Sequence, residues 1–139
     1  MNPIKVLFLC VHNSARSQMA EAYLKKFGGE NFHVESAGLE PGKLNPLAVA
    51  VMKEDGIDIS QQTSNHIDEY RDTNFDFVIT VCDHARESCP YFPSNAKQFH
   101  HNFPDPAKAN GNETEIMQQF RAVRDMIKDY CKNFADDHL

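Results

Sequence analysis

What this chain has little of narrows its function first. Positive charge is scarce: 14 Lys and Arg stand against 20 Asp and Glu, a formal charge of −6. General nucleic-acid binding needs a basic face, so no nucleic-acid partner is expected. A small anion stays possible, because a few local backbone dipoles can outweigh a distant negative surface. Long apolar runs are missing too. The N-terminal "IKVLFLCV" is too short to span a membrane, and no small-residue cleavage site follows it. A cytoplasmic protein with no membrane partner is expected. Cysteine is limited to Cys10, Cys82, Cys89 and Cys131. In a reducing cytosol no permanent disulfide framework is expected of these, which leaves catalysis, redox exchange or metal binding. There is no internal repeat and no low-complexity tract. The 139 residues, 41% of them hydrophobic, suit one domain, residues 1–139, around one core.

The apolar pattern alternates between strand and helix. Residues 4–10 read as a buried strand and 15–27 as a helix with Met19, Tyr23 and Phe27 on one face, stopped by Gly28 and Gly29. Residues 32–38 read as a second strand ending at Gly38. Residues 45–56 read as a helix capped by Asn45, opened by Pro46 and ended by Gly56. "FDFVITVCD", 75–83, is a further buried strand. Residues 84–112 read as loops with a short strand near 97–100. Residues 113–134 read as the last helix, on the stripe Ile116, Phe120, Val123, Ile127 and Tyr130. Cys131 lies in that helix and reads as ordinary packing. Strands alternating with helices predict an α/β fold: a three-layer, doubly wound sheet of about four parallel strands with helices on both faces. Ligands of such sheets sit beyond the C-terminal strand ends, where Cys10 and Cys82 both fall.

Five residues separate Cys10 from Arg16, between a strand and a helix. A loop of that length, Cys10, Val11, His12, Asn13, Ser14, Ala15, Arg16 and Ser17, can turn its N–H groups around one tetrahedral oxyanion. The following helix adds its positive end, and Arg16 adds a fork that matches two oxygens. The same donors would stabilise a Cys10 thiolate, with one more hydrogen bond available from Ser17. Asn13 tolerates the left-handed conformation that such a loop often needs. The alternative is a buried cysteine ending a strand and an arginine on a helix face.

"CVHNSARSQMAEA", together with "SAGLEPGKLNPLAVAVMKEDGIDIS", "QTS", "VITVCD", "CP" and "FPDPA", resembles the low-molecular-weight tyrosine phosphatase fold over nearly the whole chain. It looks especially like the thioredoxin-coupled arsenate reductases of that fold. Ala15 stands where many relatives carry another cysteine. The resemblance implies that Cys10 attacks arsenate and that Asp105, held between two prolines, protonates the leaving oxygen. Read alone, "FPDPAK" favours a surface turn, and the resemblance reverses that. It further implies a relay: Cys82 displaces arsenite from Cys10 as a disulfide, Cys89 takes that disulfide over, and thioredoxin, the electron donor, reduces the Cys82–Cys89 bond. Segment 83–88 would have to move for Cys82 to meet both partners. No bound cofactor and no metal are implied, and a monomer is expected.

Some relatives hold a monovalent cation with residues corresponding to Asn13, Glu21, Ser36 and position 65, where an acid is usual. Asn65 lowers the negative charge there, so Glu21 and Ser36 are expected to hydrogen-bond to Asn13 and support the loop. Where phosphatases of the fold often carry an aromatic residue after "DP", this chain has Ala107, which suits a small inorganic anion. The alternatives are a phosphatase in which Cys82 and Cys89 regulate or pack, and a binding protein using Cys82, His84, Cys89, His100 and His101 for zinc.

Overall fold

A computed structural model of the protein describes residues 3–82 and 96–138. The apolar run Ile4–Cys10 forms β1, buried without interruption from Val6 onward. It is followed by α1 (Arg16–Gly28), β2 (Phe32–Gly38), α2 (Pro46–Glu54), β3 (Phe77–Thr80), β4 (Lys97–His100) and α3 (Glu113–His138). The four strands form one sheet in the order β2-β1-β3-β4, and every pairing is parallel. β1 is therefore central. Its end lies where the strand order reverses, the crevice where doubly wound sheets bind ligands.

Strand alternation sorts β1 into two layers. Val6, Phe8 and Cys10 join a core with Met19, Tyr23 and Leu24 of α1, Val51 and Met52 of α2, and Phe120, Ile127 and Phe134 of α3. Leu7 and Leu9 point the other way, into a smaller cluster with Ala37, Val78, Phe75 and Ile67 of a 3₁₀ turn, Ile67–Tyr70. The sheet is thus the middle of three layers, as expected. Among the described residues, no helix is long and apolar enough to cross a membrane.

The helices α1 and α2 shift by one or two residues from expectation, and β3 and α3 differ more. β3 spans Phe77–Thr80 rather than 75–83, because Phe75 is apolar for its place in the smaller cluster and not for strand pairing; residue 83 lies outside the described residues. α3 runs on past residue 134 to His138. Phe134 and Ala135 are still buried there, and the His138 ring stacks on Phe134, 4.1 Å between centroids. Cys131 is buried in α3, its thiol 3.5 Å from the Ala20 carbonyl of α1, which is the packing role expected of it.

Asn45 caps α2 as its sequence suggests: the side chain accepts from Leu47 N at 2.8 Å and Ala48 N at 3.4 Å. Gly56, at φ +78°, follows the helix in the conformation that favours glycine. Asn45→Ala should cost about 1 kcal/mol of folding free energy, measured by urea denaturation, with the m-value unchanged.

Candidate active site

Residues 11–15 connect the end of β1 to α1, and their carbonyls all face away from the strand end. Leu39 N donates to the Cys10 carbonyl (3.3 Å), Glu40 N to Val11 (2.8 Å) and Gly42 N to His12 (3.1 Å). Gln18 Nε2 donates to the Asn13 carbonyl at 2.8 Å. Asn45 N donates to the Ser14 carbonyl and Met19 N to that of Ala15, both at 2.9 Å. In a trans peptide the carbonyl and the following N–H point in opposite directions, and no peptide bond here is cis among the described residues. Carbonyls turned outward therefore turn the N–H groups of Val11 to Arg16 inward, into one concave nest with the α1 N-terminus behind it. Such an arrangement can hold an oxyanion on backbone groups alone.

Asn13 is the strained point, at φ +50° and fully buried, as its residue type suggested. Its amide holds the loop on three sides. Nδ2 donates to Ser17 Oγ (2.8 Å) and Ser36 Oγ (2.9 Å), and Oδ1 accepts from Asn65 N at 2.9 Å. Ser36 thus supports Asn13 directly. Glu21 does so one step removed: its carboxylate accepts from Ser36 Oγ at 2.5 Å and is met on its other oxygen by Lys25 Nζ, also at 2.5 Å. Asn65 takes part through its backbone N–H, which any residue type would supply. His12 is exposed; its Nδ1 donates to the Glu40 carbonyl at 2.9 Å, tying the loop to the segment after β2.

The register of the sheet brings Cys10 and Cys82 together. Leu9 pairs with Thr80, and Val81 N reaches the Leu9 carbonyl at 2.9 Å, so Cys82 arrives beside Cys10. Their sulfurs are 3.5 Å apart, with both residues buried. This changes the expected ionisation. The Cys82 contact, and after it burial, raise the Cys10 thiol well above its ordinary value; the Arg16 charge and the Val11 N–H pull the other way. Two thiols in contact titrate as a pair, and the second proton is held because two negative charges would share one buried spot. Ser17 Oγ accepts from Asn13 Nδ2 at 2.8 Å, which leaves its own proton to donate, and the Cys10 thiol makes its contact with Cys82.

Arg16 and Asp105 also meet. Phe103 N bonds to the Val81 carbonyl at 3.0 Å, and the buried Phe103 ring packs edge-on against Tyr130. This anchor swings "FPDPA" over the loop. Arg16 Nη1 donates to the Phe103 carbonyl at 3.0 Å, and Nη2 lies 3.6 Å from Asp105 Oδ2. Asp105 Oδ1 accepts from Ala107 N at 3.0 Å, which fixes the carboxylate at the head of a 3₁₀ turn, Pro106–Lys108. A cavity of about 660 Å³ opens here, with Val11, His12, Arg16, Cys82 and Asp105 in its wall.

Val11, His12, Arg16, Cys82 and Asp105 therefore meet at one cavity, with Cys10 buried beside Cys82 and the Asn13 and Ser17 side chains buried behind the loop. Cys89 and His84 lie outside the described residues, and so do the relay's second transfer and the zinc arrangement. Among the described residues, no three His, Cys, Asp or Glu side chains cluster to hold a metal. His100 is hydrogen-bonded to Thr80 Oγ1 at 2.7 Å and His101 packs between Phe103 and Tyr130. Gly38 was missed as a site residue. A Cβ there would lie 2.6 Å from the Val11 carbonyl, 2.9 Å from Asn13 N and 3.0 Å from the His12 carbonyl carbon. A glycine closing a strand beside a reactive loop is the signal that could have found it.

The family model for low molecular weight phosphotyrosine protein phosphatases matches residues 5–139. A Halalkalibacterium halodurans protein named arsenate reductase is 49% identical over 136 residues, 98% of this chain and 98% of its own. A Bacillus subtilis arsenate reductase is 48% identical over 131 residues, 94% of each chain. The solved structure of an arsenate reductase in the oxidized state superposes with a TM-score of 0.82 at 34% identity, over 99% of this chain and 98% of that one. A low molecular weight protein tyrosine phosphatase from T. tengcongensis gives 0.81 at 22% identity, over 96% and 99% of the two chains, a likeness of fold alone.

Two outcomes follow from this geometry. Gly38→Ala should push the loop backbone and weaken inorganic phosphate binding by about tenfold or more in calorimetry, with the far-ultraviolet circular dichroism unchanged. Cys82→Ala removes the contact that raises Cys10, so the Cys10 thiolate should form at lower pH than in the wild type. Ultraviolet thiolate absorbance against pH measures this; a midpoint that stays or rises would contradict the pairing.

Proposed function

The chain belongs to the low molecular weight phosphotyrosine protein phosphatase family, and within it we propose that it reduces arsenate to arsenite for arsenic detoxification, with thioredoxin as electron donor. The observation that carries the reading is the pair of buried sulfurs, Cys10 and Cys82, 3.5 Å apart at the rim of an oxyanion nest. Hydrolysis of a phosphate ester needs one of them. A reduction needs a second thiol within reach, and an S–S bond of about 2.05 Å requires only a small further approach.

Arsenate enters with its oxygens on the inward N–H groups and on the Arg16 fork, which turns from the Phe103 carbonyl to the anion. The Cys10 thiolate attacks arsenic. The oxygen that leaves takes a proton from Asp105 and departs as water. Cys82, as thiolate, then attacks Cys10 Sγ; the S–As bond breaks, its electron pair stays on arsenic, and arsenite leaves. Arsenic has gained two electrons and the two thiols have become a disulfide. Cys89 next attacks Cys82 Sγ and expels Cys10 as thiolate, which moves the disulfide outward to thioredoxin. Only one negative charge is needed on the Cys10–Cys82 pair at each attack, so holding the second proton does not oppose the sequence.

Ala107 offers no ring to stack on a phenol, and this supports a small inorganic substrate. The shared loop chemistry still implies a weak hydrolysis of small aryl phosphates as a side activity.

The test is arsenate-dependent NADPH oxidation by the purified chain with thioredoxin and thioredoxin reductase. Cys10→Ser, Cys82→Ser and Cys89→Ser should each abolish multiple turnover, and Asp105→Asn should lower kcat about 10²-fold or more. Full multiple turnover by Cys82→Ser or Cys89→Ser would overturn the relay. Good turnover of phosphotyrosine peptides that persists in Cys89→Ser would favour the phosphatase instead.

A further inference from the structure

Gln18 is a polar side chain with no exposure at all, in the first turn of α1. A buried amide of this kind is costly unless all its hydrogen-bonding capacity is used. Here the capacity is used on the loop and on one neighbouring segment. Nε2 donates to the Asn13 carbonyl at 2.8 Å and to the Thr63 carbonyl at 2.9 Å. Oε1 accepts from Gln62 Nε2 at 2.7 Å, and the same Gln62 nitrogen also reaches the Gln18 backbone carbonyl at 3.1 Å. Gln62 thereby decides which end of the Gln18 amide is which: with its oxygen claimed by Gln62, the nitrogen must face the two carbonyls.

The Asn13 carbonyl is the one that matters. It belongs to the residue at φ +50°, so its peptide is the one most ready to relax by rotation. Among the described residues it is the loop carbonyl held by a side chain alone. Cys10, Val11, Ser14 and Ala15 are held by backbone N–H groups, and His12 by the Gly42 N–H together with Ser64 Oγ at 2.9 Å. The planar peptide that carries the Asn13 carbonyl also carries the Ser14 N–H, aimed oppositely into the nest.

We infer that Gln18, oriented by Gln62, is a positioning residue for the oxyanion site: it holds the Asn13–Ser14 peptide so that the Ser14 N–H faces the bound oxyanion. Gln18 touches no substrate; it acts through the Asn13 carbonyl. The inference rests on residues 10–16 binding an oxyanion. Because that anion carries its charge before reaction as well as during it, a misaligned Ser14 N–H weakens ground state and transition state alike, and the loss falls on KM rather than kcat.

Inorganic phosphate, an unreactive oxyanion of the same shape, is the probe, titrated into the full chain by calorimetry beside arsenate kinetics and thermal melting. Gln18→Met keeps the length and removes the amide. It should bind phosphate about tenfold more weakly and raise the arsenate KM by a similar factor, with kcat changed much less. Gln62→Met, at a half-buried position, leaves the Gln18 amide in place but unoriented and should lose about threefold. If Gln18 only supports the fold, both variants melt earlier while the folded protein binds phosphate as the wild type does, and that result overturns the inference. Should Gln18→Met fail to fold, Gln62→Met decides in the same way. A wild-type chain that binds no phosphate would remove the oxyanion loop itself, and the inference with it.

Discussion

The outward hydrogen bonding of the loop carbonyls is the constraint on which the rest of the site depends. An oxyanion nest needs several N–H groups converging on one point, and a chain cannot do that while its carbonyls seek the same partners. Here each carbonyl from Cys10 to Ala15 is engaged from outside, by the segment after β2, by Asn45, or by α1 itself. The N–H groups are then turned inward by the planarity of the peptide. The surrounding elements act as a mould: Gly38 lets the loop lie against the end of β2 without a Cβ in the way, and Asn13, Ser17, Ser36 and Glu21 fill the space behind it with satisfied polar groups.

Charge is arranged with the same economy. Positive potential at the strand end comes from amide dipoles, the α1 N-terminus and one guanidinium, within a protein whose formal charge is −6. Arg16 is not free: it is shared between the Phe103 carbonyl and the Asp105 carboxylate. The contact that holds the Asp105 carboxylate therefore also ties the guanidinium at the start of α1 to the segment carrying Asp105. The two sulfurs are likewise a shared device. Mutual contact and burial push the Cys10 thiol up, while the Arg16 charge and the Val11 N–H pull it down.

Much of this was legible in the residues. The strand–loop–helix with Cys10 and Arg16 at its ends, the left-handed Asn13, the Asn45 cap and the parallel sheet all follow from local rules about which residue types suit which backbone. Asp105 could not be told from a turn residue in the same way, because Asp between prolines satisfies both descriptions; only the Phe103 anchor and the Arg16 contact distinguish them. Gln18 was illegible for another reason. α1 is buried from Ser17 to Leu24, so its apolar stripe did not mark which polar residue would be enclosed, and a glutamine between Ser17 and Met19 reads as a surface position. The expectation of an ionised thiol counted the donors around Cys10, and not the second sulfur, which pushes the thiol the other way.

The sequence by itself determined the elements, their order and the chemistry available: one thiol at a strand end, one guanidinium at a helix start, further thiols downstream. Those depend on neighbours along the chain, where propensity, spacing and caps act. Only the tertiary structure decided which of these groups meet. The 3.5 Å between Cys10 and Cys82 comes from the β1–β3 register, seventy-two residues apart in sequence. The outward turn of the loop comes from segments 39–45 and 62–65 closing on it. Hydrogen bonds and thiol contacts act over a few ångströms, so residues far apart in sequence carry no mark of a partner until packing brings that partner within reach.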